Sequence, residues 1–257
     1  MDHKTSKVPS LQRAMAILDH IAEKGASQGS ALVPVLNAPK SSVYVLLDEL
    51  KKLRLLSQGP DGLYRLGIKL IELGEQAAGQ LDLRELARPH LVELMQDTGL
   101  LCHLGVIEGD AAYYILKVES PGTIRVRSWE GKRLSLYSSG LGKCLLAWTD
   151  KDKQNQLIGN LQFVRATPQT ITSVAELDAA LRQIRARGWS YDDREDLEEI
   201  RCVACPVFDA SGNIAAAISA VGTTLQIDEH KLPTISAQVM KTAARISGEL
   251  GYVPAKV

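Results

Sequence analysis

The sequence lacks several features that would assign it to a particular class of protein. It has no apolar run near 18 residues, so we expect no membrane-spanning helix. Its N-terminus has no basic segment followed by an apolar one, so we expect no secretory signal peptide. Its four cysteines are too few in 257 residues for a disulfide framework. Together these absences predict a cytoplasmic protein.

Motifs of the common enzyme classes are also missing. We find no nucleophile elbow, no phosphate-binding loop and no cluster of metal ligands. Cys202 and Cys205 form a C-x-x-C, but no second pair and no spaced histidines follow, so a zinc site is not predicted. The pair lies in an apolar strand-like run, where positions three apart point to opposite faces. We therefore predict no enzymatic activity, no metal and no cofactor.

Length and charge favour two domains of different character. A chain of 257 residues can form two cores. Residues 1–70 hold ten Lys and Arg against six Asp and Glu, whereas residues 71–257 hold twenty against twenty-four. A mildly basic N-terminal part and a mildly acidic remainder fit one domain that binds DNA and one that does not. The first ten residues form a polar arm that we expect to be disordered.

The strongest positive pattern lies between Leu32 and Leu66. A short apolar helix leads into Asn37, a residue that tolerates the left-handed backbone of a tight turn. A second helix begins with Pro39 at its first position, and a Gly- and Pro-bearing gap at 58–62 then separates two short apolar runs, as in a hairpin. This order predicts a winged helix-turn-helix. The second helix has one apolar face, made of Val43, Leu46, Leu47, Leu50 and Leu53.

Polar residues crowd the predicted exposed start of that second helix. Cations, hydroxyls and amides are the groups that contact phosphates and base edges. The alternative is a helical core fragment with solvated lysines, but the turn, helix and wing at this spacing favour DNA binding. The predicted DNA-binding residues are Lys40, Ser41, Ser42 and Tyr44 on the helix and Arg65 in the wing.

Other elements follow from periodicity and local signals. Ser10 is placed to cap a first helix that ends near Gly25. Its predicted apolar face consists of Leu11, Ala14, Met15, Leu18 and Ile21. Gly67–Ala78 predicts a helix that either connects two domains or is the first helix of the second domain, and we favour the connector. Asp82–Asp97 predicts another helix, in which Pro89 favours a kink or a late start.

The remainder of the chain mixes strands and helices, which predicts an α+β domain. Turns at 109–110 and 121–122 divide a predicted antiparallel meander. Ser173 begins a capping box and Gly188 is placed to end the helix that follows. The predicted strands are Leu101–Ile107, Ala112–Val118, Thr123–Ser128, Arg201–Phe208 and Ile214–Gly222, and the predicted helices are Ser139–Trp148, Ser173–Arg187 and Ile235–Leu250.

Several segments together carry a family resemblance. The segment GWSYDDRE at 188–195, followed after six residues by CVACPVFD at 202–209, resembles the signature of the IclR family of bacterial transcriptional regulators. PKSSVYVLLDELKKLRLL at 39–56 and YRLG at 64–67 resemble the DNA-binding half of that family. SGLGK at 139–143 resembles its effector-pocket turn. The resemblance extends from about Val8 to Tyr252.

The resemblance implies a fold, partners and a mode of action. It implies a winged helix-turn-helix DNA-binding domain at 1–66, a linker helix at 67–80 and an α/β effector-binding domain of GAF-like sensor type at 81–257. Members of the family form homodimers that often pair into tetramers on operator DNA. Their effectors are mostly small carboxylates, sugar acids or aromatic acids. We therefore expect a regulator, acting as a repressor of a catabolic operon.

The resemblance also implies an effector pocket, when the family's pocket residues are transferred by position to this sequence. Helix N-terminal N–H groups bind carboxylates, although glycines at such a turn also permit close packing, and we favour the ligand interpretation. We interpret Cys205 as a core residue. His103 could reach the pocket or be a satisfied polar group of the core, and we favour the core. The family often has Ser where this chain has Val221, and Arg where it has Val45. The predicted pocket residues are Ser139, Gly140, Leu141, Asp192, Cys202 and Ser219.

Two alternatives to this reading remain open from the sequence alone. One is a cysteine-dependent enzyme with Cys202 or Cys144 as the nucleophile and His103 as the base. The other is a stand-alone small-molecule sensor.

Overall fold

The computed structural model describes residues 8–36, 38–79, 82–121 and 126–254. The chain divides into two compact units, Met1–Leu81 and Asp82–Val257, each with its own apolar core. No helix among the described residues is long and apolar enough to cross a bilayer. The predictions for Asn37 and for residues 1–7 of the polar arm lie outside the described residues.

The first unit is a set of helices followed by a hairpin and a further helix. The order of helix, turn, helix and hairpin confirms the predicted winged helix-turn-helix, and β1 pairs antiparallel with β2. Its core joins residues from the first three helices to Leu56 and Tyr64 of the hairpin. Its elements are α1 (Pro9–Lys24), α2 (Gly29–Leu36), α3 (Lys40–Lys52), β1 (Leu56–Gln58), β2 (Tyr64–Leu66) and α4 (Ile68–Gly79).

Four local predictions for this unit are wrong. Val8 precedes α1 as its N-cap, without a side-chain hydrogen bond, so Ser10 is not the cap. Leu11 and Met15 are exposed, whereas the predicted Leu18 and Ile21 are buried together with Ile17. Pro39 occupies the N-cap of α3 rather than its first position. Leu53 follows the end of α3 and is 60% exposed.

The second unit is built on one six-stranded antiparallel sheet. The strand order is β5-β4-β3-β8-β7-β6, so the middle of the sheet pairs β3 with β8, two strands far apart in the sequence. This mixed order of helices and strands confirms the α+β class. The elements are α5 (Leu83–Thr98), β3 (Leu101–Glu108), β4 (Ala111–Val118), β5 (Arg133–Leu134), α6 (Gly140–Trp148), α7 (Lys151–Gly159), α8 (Val174–Arg187), β6 (Ser190–Asp193), β7 (Ile200–Phe208), β8 (Ile214–Thr223) and α9 (Leu232–Glu249).

Helices cover both faces of this sheet, and side-chain alternation decides which residues each face receives. On one face α5 and α9 pack against alternate residues of the central strands, including Cys102, Leu104, Cys205 and Ile218. On the other face α6 and α8 pack against Ala204 and Ala217. The rest of this second face lies beside residues 126–128, where Val126 packs near Leu101, Cys202 and Val221. The candidate site lies on this second face.

Some elements of the second unit differ from their predictions. The predicted strand Thr123–Ser128 is wrong over 126–128, which are not in a strand, and 123–125 lie outside the described residues. The partner of β4 on that side is β5 instead. α5 begins at Leu83 in spite of Pro89, because Asp82 caps it by accepting from Arg84 N and Glu85 N. The sequence predicted neither α7 nor β6.

Candidate functional site

The start of α6 forms one side of the site and is fixed by Ser139. The Ser139 hydroxyl accepts a hydrogen bond from Gly142 N at 3.0 Å and donates one to the Ser135 carbonyl at 2.6 Å. This N-cap satisfies one of the amides that a helix start leaves without an intrahelical partner. The first turn, with Gly140 and Leu141, is buried against the sheet. The predicted helix start is therefore in place, with its positive end inside the unit.

Gly140 brings the helix start into direct contact with two other predicted pocket residues. A Cβ at Gly140 would lie 3.0 Å from Cys202 Sγ and 3.4 Å from Asp192 Cβ. A side chain there would require its neighbours to shift by a few tenths of an ångström. Asp192 and Cys202 are themselves direct partners on β6 and β7. The structure thus brings Gly140, Asp192 and Cys202 together, although they are up to 62 positions apart in the sequence.

Asp192 is a buried carboxyl, with 4% of the residue exposed. Its Oδ1 accepts a hydrogen bond from Glu195 N at 2.7 Å. Burial raises the pKa of Asp192 to about 8, against the opposing effects of that hydrogen bond and of the Lys143 ammonium. At neutral pH the carboxyl therefore keeps its proton in most molecules. It can donate a hydrogen bond to an anion as well as accept one.

The charge of Lys143 is paired within the protein. Its ammonium forms an ion pair with Glu195 and donates to the Tyr191 carbonyl at 2.8 Å. The Lys143 side chain is 2% exposed and that of Glu195 12%. Burial raises the pKa of Glu195, although the neighbouring ammonium of Lys143 opposes this. Lys143 is thus a structural cation that ties α6 to the end of β6.

Ser219 lies at the centre of the site face and is fully buried. Its hydroxyl faces the Cys202 thiol but has no hydrogen-bond partner of good geometry among the described residues. Across the sheet, Ser219 is the direct partner of His103 on one side and of Ala204 on the other. Val221, two residues further along β8, faces the same way and packs with Leu101 and Cys202. The wall beside Ser219 is therefore apolar.

His103 is fully buried, and one of its two ring nitrogens has a hydrogen-bond partner. His103 Nε2 bonds Ser128 Oγ at 2.8 Å, but Nδ1 has no partner among the residues described. Burial lowers the pKa of His103 to about 3, with a smaller effect from Lys117, so the ring is neutral. The sequence left both the pocket and the core possible for His103, because the face of a strand residue depends on pairing that periodicity does not reveal.

Tyr114 is a site residue that sequence reasoning missed. Its ring stacks on His103, with ring centroids 4.1 Å apart and 22° between the planes. Burial raises the pKa of the Tyr114 phenol, and the nearby Cys202, Asp196 and Asp192 add to this. No local signal marked this tyrosine, because β4 carries aromatic and aliphatic residues on both faces.

The thiols do not support a cysteine-dependent enzyme. All four cysteines are buried and reduced. Burial raises the pKa of Cys202, and it does the same for Cys144, so neither forms a thiolate at neutral pH. Cys205 faces the α5 and α9 core, on the opposite side of β7 from Cys202. His103 bonds Ser128 and has no cysteine as a hydrogen-bond partner.

The start of α3 in the first unit is the candidate DNA-binding surface. Lys40, Ser41 and Ser42 are exposed on the first turn. Tyr44 is 36% exposed, and Lys40 Nζ lies 5.9 Å from the centre of its ring. No acidic residue occupies the first turn. The structure therefore groups the four predicted helix residues on one accessible, positively charged patch.

Ion pairs divide the cations of the first unit into two groups. Arg65 in the wing donates to both carboxylate oxygens of Asp61, at 3.1 and 2.6 Å, so its charge is locally compensated. Among the Lys and Arg residues that the structure describes in this unit, Arg13 and Lys40 make no ion pair. Arg13 lines one groove with Ser41 and Ser42. It is a further candidate that the sequence did not single out.

Lys40→Ala is expected to weaken binding to operator DNA and to flatten its salt dependence. Loss of one phosphate contact lowers the slope of log affinity against log salt by about one unit. Ser42→Ala should weaken binding with the slope unchanged, since a hydroxyl carries no charge. Fluorescence anisotropy titrations over a range of salt concentrations measure both effects.

Lys52→Ala is the matched control for Lys40. Lys52 is an exposed lysine at the other end of α3, and it pairs with Glu49 at 2.6 Å. Its removal should leave the slope as in the wild type. An unchanged slope in Lys40→Ala would contradict a phosphate contact by that residue.

Comparisons with known proteins agree with this architecture. The profile of the bacterial transcriptional regulator IclR C-terminal domain matches residues 75–248. The chain is 49% identical to the uncharacterized HTH-type transcriptional regulator RhmR of Escherichia coli over 249 residues, which are 97% of this chain and 96% of RhmR. The Agobacterium tumefaciens repressor BlcR superposes with a TM-score of 0.81 at 27% identity, covering 96% of this chain and 99% of BlcR. The crystallised C-terminal domain of E. coli KdgR is 36% identical, with a TM-score of 0.61, over 67% of this chain and all of that domain.

Proposed function

The chain belongs to the IclR family of bacterial transcriptional regulators, and we propose that it is a repressor whose operator affinity is controlled by a small sugar acid. Like its relatives, it is a DNA-binding regulator and not an enzyme. The observation that carries the effector proposal is the buried helix start of α6 with the buried Asp192 carboxyl beside it, whose pKa burial raises to about 8. Both groups favour an anion.

For DNA binding we propose the start of α3 as the contact surface. Lys40, Ser41, Ser42 and Tyr44 would lie in the major groove or on its phosphates, as the second helix of a helix-turn-helix does. Arg65 would contact the backbone from the wing only by leaving Asp61. Binding as a dimer to a partly palindromic site follows from the two-fold symmetry that such regulators share with their operators. The proposed division is DNA binding by 1–66, a linker at 67–80 and effector binding by 81–257.

For effector binding we propose that the carboxylate lies at the start of α6. The amides of the first turn and the Asp192 carboxyl would bind it, beside Ser139, Gly140 and Leu141. The hydroxyls of the ligand would extend along the sheet past Cys202 toward Ser219. Effector binding alters DNA affinity only if it favours one arrangement of the protein over another, with a typical coupling of about 1–3 kcal/mol.

The experiment that tests this function combines footprinting with a ligand panel. Purified protein is tested on the DNA upstream of its own gene and of neighbouring genes, with and without six-carbon aldonic and uronic acids, aromatic acids, uncharged sugars and amino sugars. We expect one protected site, and release of the DNA by a sugar acid. Absence of any footprint would contradict the regulator, and a preference for an uncharged or cationic ligand would contradict the acid.

The affinity for the acid is expected to fall as pH rises through about 8. Asp192 loses its proton in this interval and becomes a negative charge beside the ligand carboxylate, and like charges repel. For linkage to a single proton the decrease is at most about tenfold per pH unit. Calorimetric titrations from about pH 6 to about pH 9.5 bracket the Asp192 pKa of about 8.

The variant Asp192→Asn tests whether the Asp192 carboxyl causes this pH dependence of the affinity. The amide keeps an oxygen that can accept from Glu195 N and has no proton to lose, so its affinity profile should be flat over the same interval. Lys143 on α6 and Glu195 and Asp196 after β6 also face Asp192, and they are present in both proteins. Asp97→Asn, at an exposed position on α5, is the control. Equal pH profiles for wild type and Asp192→Asn would contradict the assignment.

A further inference from the structure

Three buried polar side chains occupy one row across the site face. Ser190, Ser219 and His103 lie on β6, β8 and β3, and each is less than 1% exposed. The row runs from Ser190 through Ala204 and Ser219 to His103, each residue being the direct partner of the next. Direct partners in an antiparallel pair have Cβ atoms about 4.5–5.5 Å apart. Ser219 and His103 are therefore immediate neighbours.

These neighbours share a property that is rare in a protein interior. Neither His103 Nδ1 nor Ser219 Oγ has a hydrogen-bond partner among the residues that the structure describes, and they do not bond each other. Buried polar groups are almost always paired, since an unpaired one loses its hydration without compensation. Two such groups side by side, on the face that holds Asp192 and Cys202, point to a ligand that pairs with both.

The His103 ring is held so that Nδ1 keeps a fixed direction. Nε2 bonds Ser128 Oγ at 2.8 Å, and Tyr114 stacks against the ring. The segment that carries Ser128 is itself fixed, because Lys117 Nζ donates to the Ser128 carbonyl at 2.8 Å. A ring clamped on two sides presents its remaining nitrogen without loss of side-chain entropy on binding, which favours specific recognition.

We propose that His103 Nδ1 and Ser219 Oγ together bind one hydroxyl group of the effector, so that His103 is a specificity-determining residue. The inference rests on the proposed sugar-acid function. A neutral imidazole has one nitrogen that donates and one that accepts, and a serine hydroxyl does both. A hydroxyl is the ligand group that can donate to one of them and accept from the other. A carboxylate or a ketone oxygen can only accept.

The row spacing also limits the length of the effector. Ser219 and Val221 are two residues apart on β8, and Val221 is the direct partner of Cys202, which pairs with Asp192. Successive residues on one face of a strand are about 6.6 Å apart. The position that binds the ligand hydroxyl is therefore about 6.6 Å from the row that contains Asp192. A two-carbon hydroxy acid is too short to contact both rows, whereas a six-carbon aldonic acid is long enough.

The test is calorimetry on the full-length protein with three probes of different chemistry: a set of six-carbon aldonic acids, the two-carbon acid glycolate, and hexanoate. The variants are Ser219→Ala and His103→Phe, the second of which keeps a ring to stack on Tyr114. We expect each variant to bind the preferred aldonic acid about tenfold more weakly or worse, equivalent to about 1.4 kcal/mol. Binding of hexanoate, which has no hydroxyl, should be unchanged or tighter.

Ser190→Ala is the matched control. It removes an equally buried hydroxyl without a partner from the same row, but two strands away from Ser219, across Ala204. Ala204 packs in the apolar cluster with α6 and α8. The substitution should therefore leave the affinity for aldonic acids unchanged.

Stability without effector separates ligand recognition from a structural role. Ser219→Ala removes a buried hydroxyl that has no partner, so the melting temperature without effector should be unchanged or higher. A structural serine would instead give a lower melting temperature with unchanged affinity, and that result would overturn the inference. If His103→Phe does not fold, His103→Leu takes its place, because Ser219→Ala alone does not test the role of His103.

The outcomes distinguish the inference from the proposed function. If an aldonic acid binds and releases DNA, but both variants bind it as the wild type does, the role of His103 and Ser219 is wrong and the sugar-acid function stands. If glycolate binds as tightly as the aldonic acids, the two-row contact is wrong. If no acid binds the wild type, the proposed function fails, and the inference fails with it.

Discussion

A fragment that begins at Asp82 is expected to lose operator binding completely and to keep effector binding. All residues proposed to contact DNA lie before position 67. The two compact units divide between Leu81 and Asp82. The core of the second unit contains no residue of the first. A domain of similar extent from a relative has been crystallised alone, so this fragment should fold.

Gel-shift and calorimetric measurements on the fragment and the full-length chain test this expectation. The fragment should give no shift of operator DNA at concentrations that saturate the full-length chain. Its affinity for the acid should differ from that of the full-length chain by no more than the coupling between the two sites, about 1–3 kcal/mol. A fragment that still shifts the operator would contradict the division of labour. One that aggregates would contradict the domain boundary.

Lys143→Met is expected to lower the free energy of unfolding by about 3–5 kcal/mol, because it leaves the Glu195 charge buried without its partner. Lys143 is almost fully buried in the second unit, and its ammonium bonds both Glu195 and the Tyr191 carbonyl. Met matches the shape of the lysine stem, so the loss reflects charge rather than volume. Native proteins are stable by only about 5–15 kcal/mol, so this is a large fraction.

The double variant Lys143→Met with Glu195→Leu removes both charges and tests the cause. Replacing both partners of a buried ion pair with apolar groups is often close to neutral. Urea denaturation of the wild type, the single variant and the double variant should therefore show recovery of most of the lost stability. Lys153→Met, at an exposed position on α7, is the control. A double variant as unstable as the single one would show that the Tyr191 carbonyl, rather than Glu195, is the important partner.

Local signals in the sequence predicted the elements that local interactions determine. Ser173 accepts from Glu176 N, and Gly188 ends α8 with a left-handed backbone, both as expected from the residues alone. The helix-turn-helix and its hairpin were predictable for the same reason, since their turns and apolar spacing lie within one short segment. The signature segments around Asp192 and Cys202 also located most of the predicted site.

Long-range pairing determined what the sequence did not reveal. β6 has four residues and exists because it pairs with β7, so nothing in its own composition marks it as a strand. β3 and β8 meet in the middle of the sheet although more than a hundred residues separate them. That pairing places His103 beside Ser219. Leu11 and Met15 have helical spacing but no core to cover, which periodicity alone cannot show.

The burial of every cysteine makes this protein convenient for site-specific labelling. Maleimide and iodoacetamide reagents attack the thiolate, and none of the four native thiols is exposed. A cysteine introduced on an exposed position, such as Lys52 on α3 or Lys153 on α7, would be the one reactive thiol in the chain. One introduced cysteine on each unit would carry a fluorophore, and the two fluorophores would report the distance between the units on and off the operator without removal of any native cysteine.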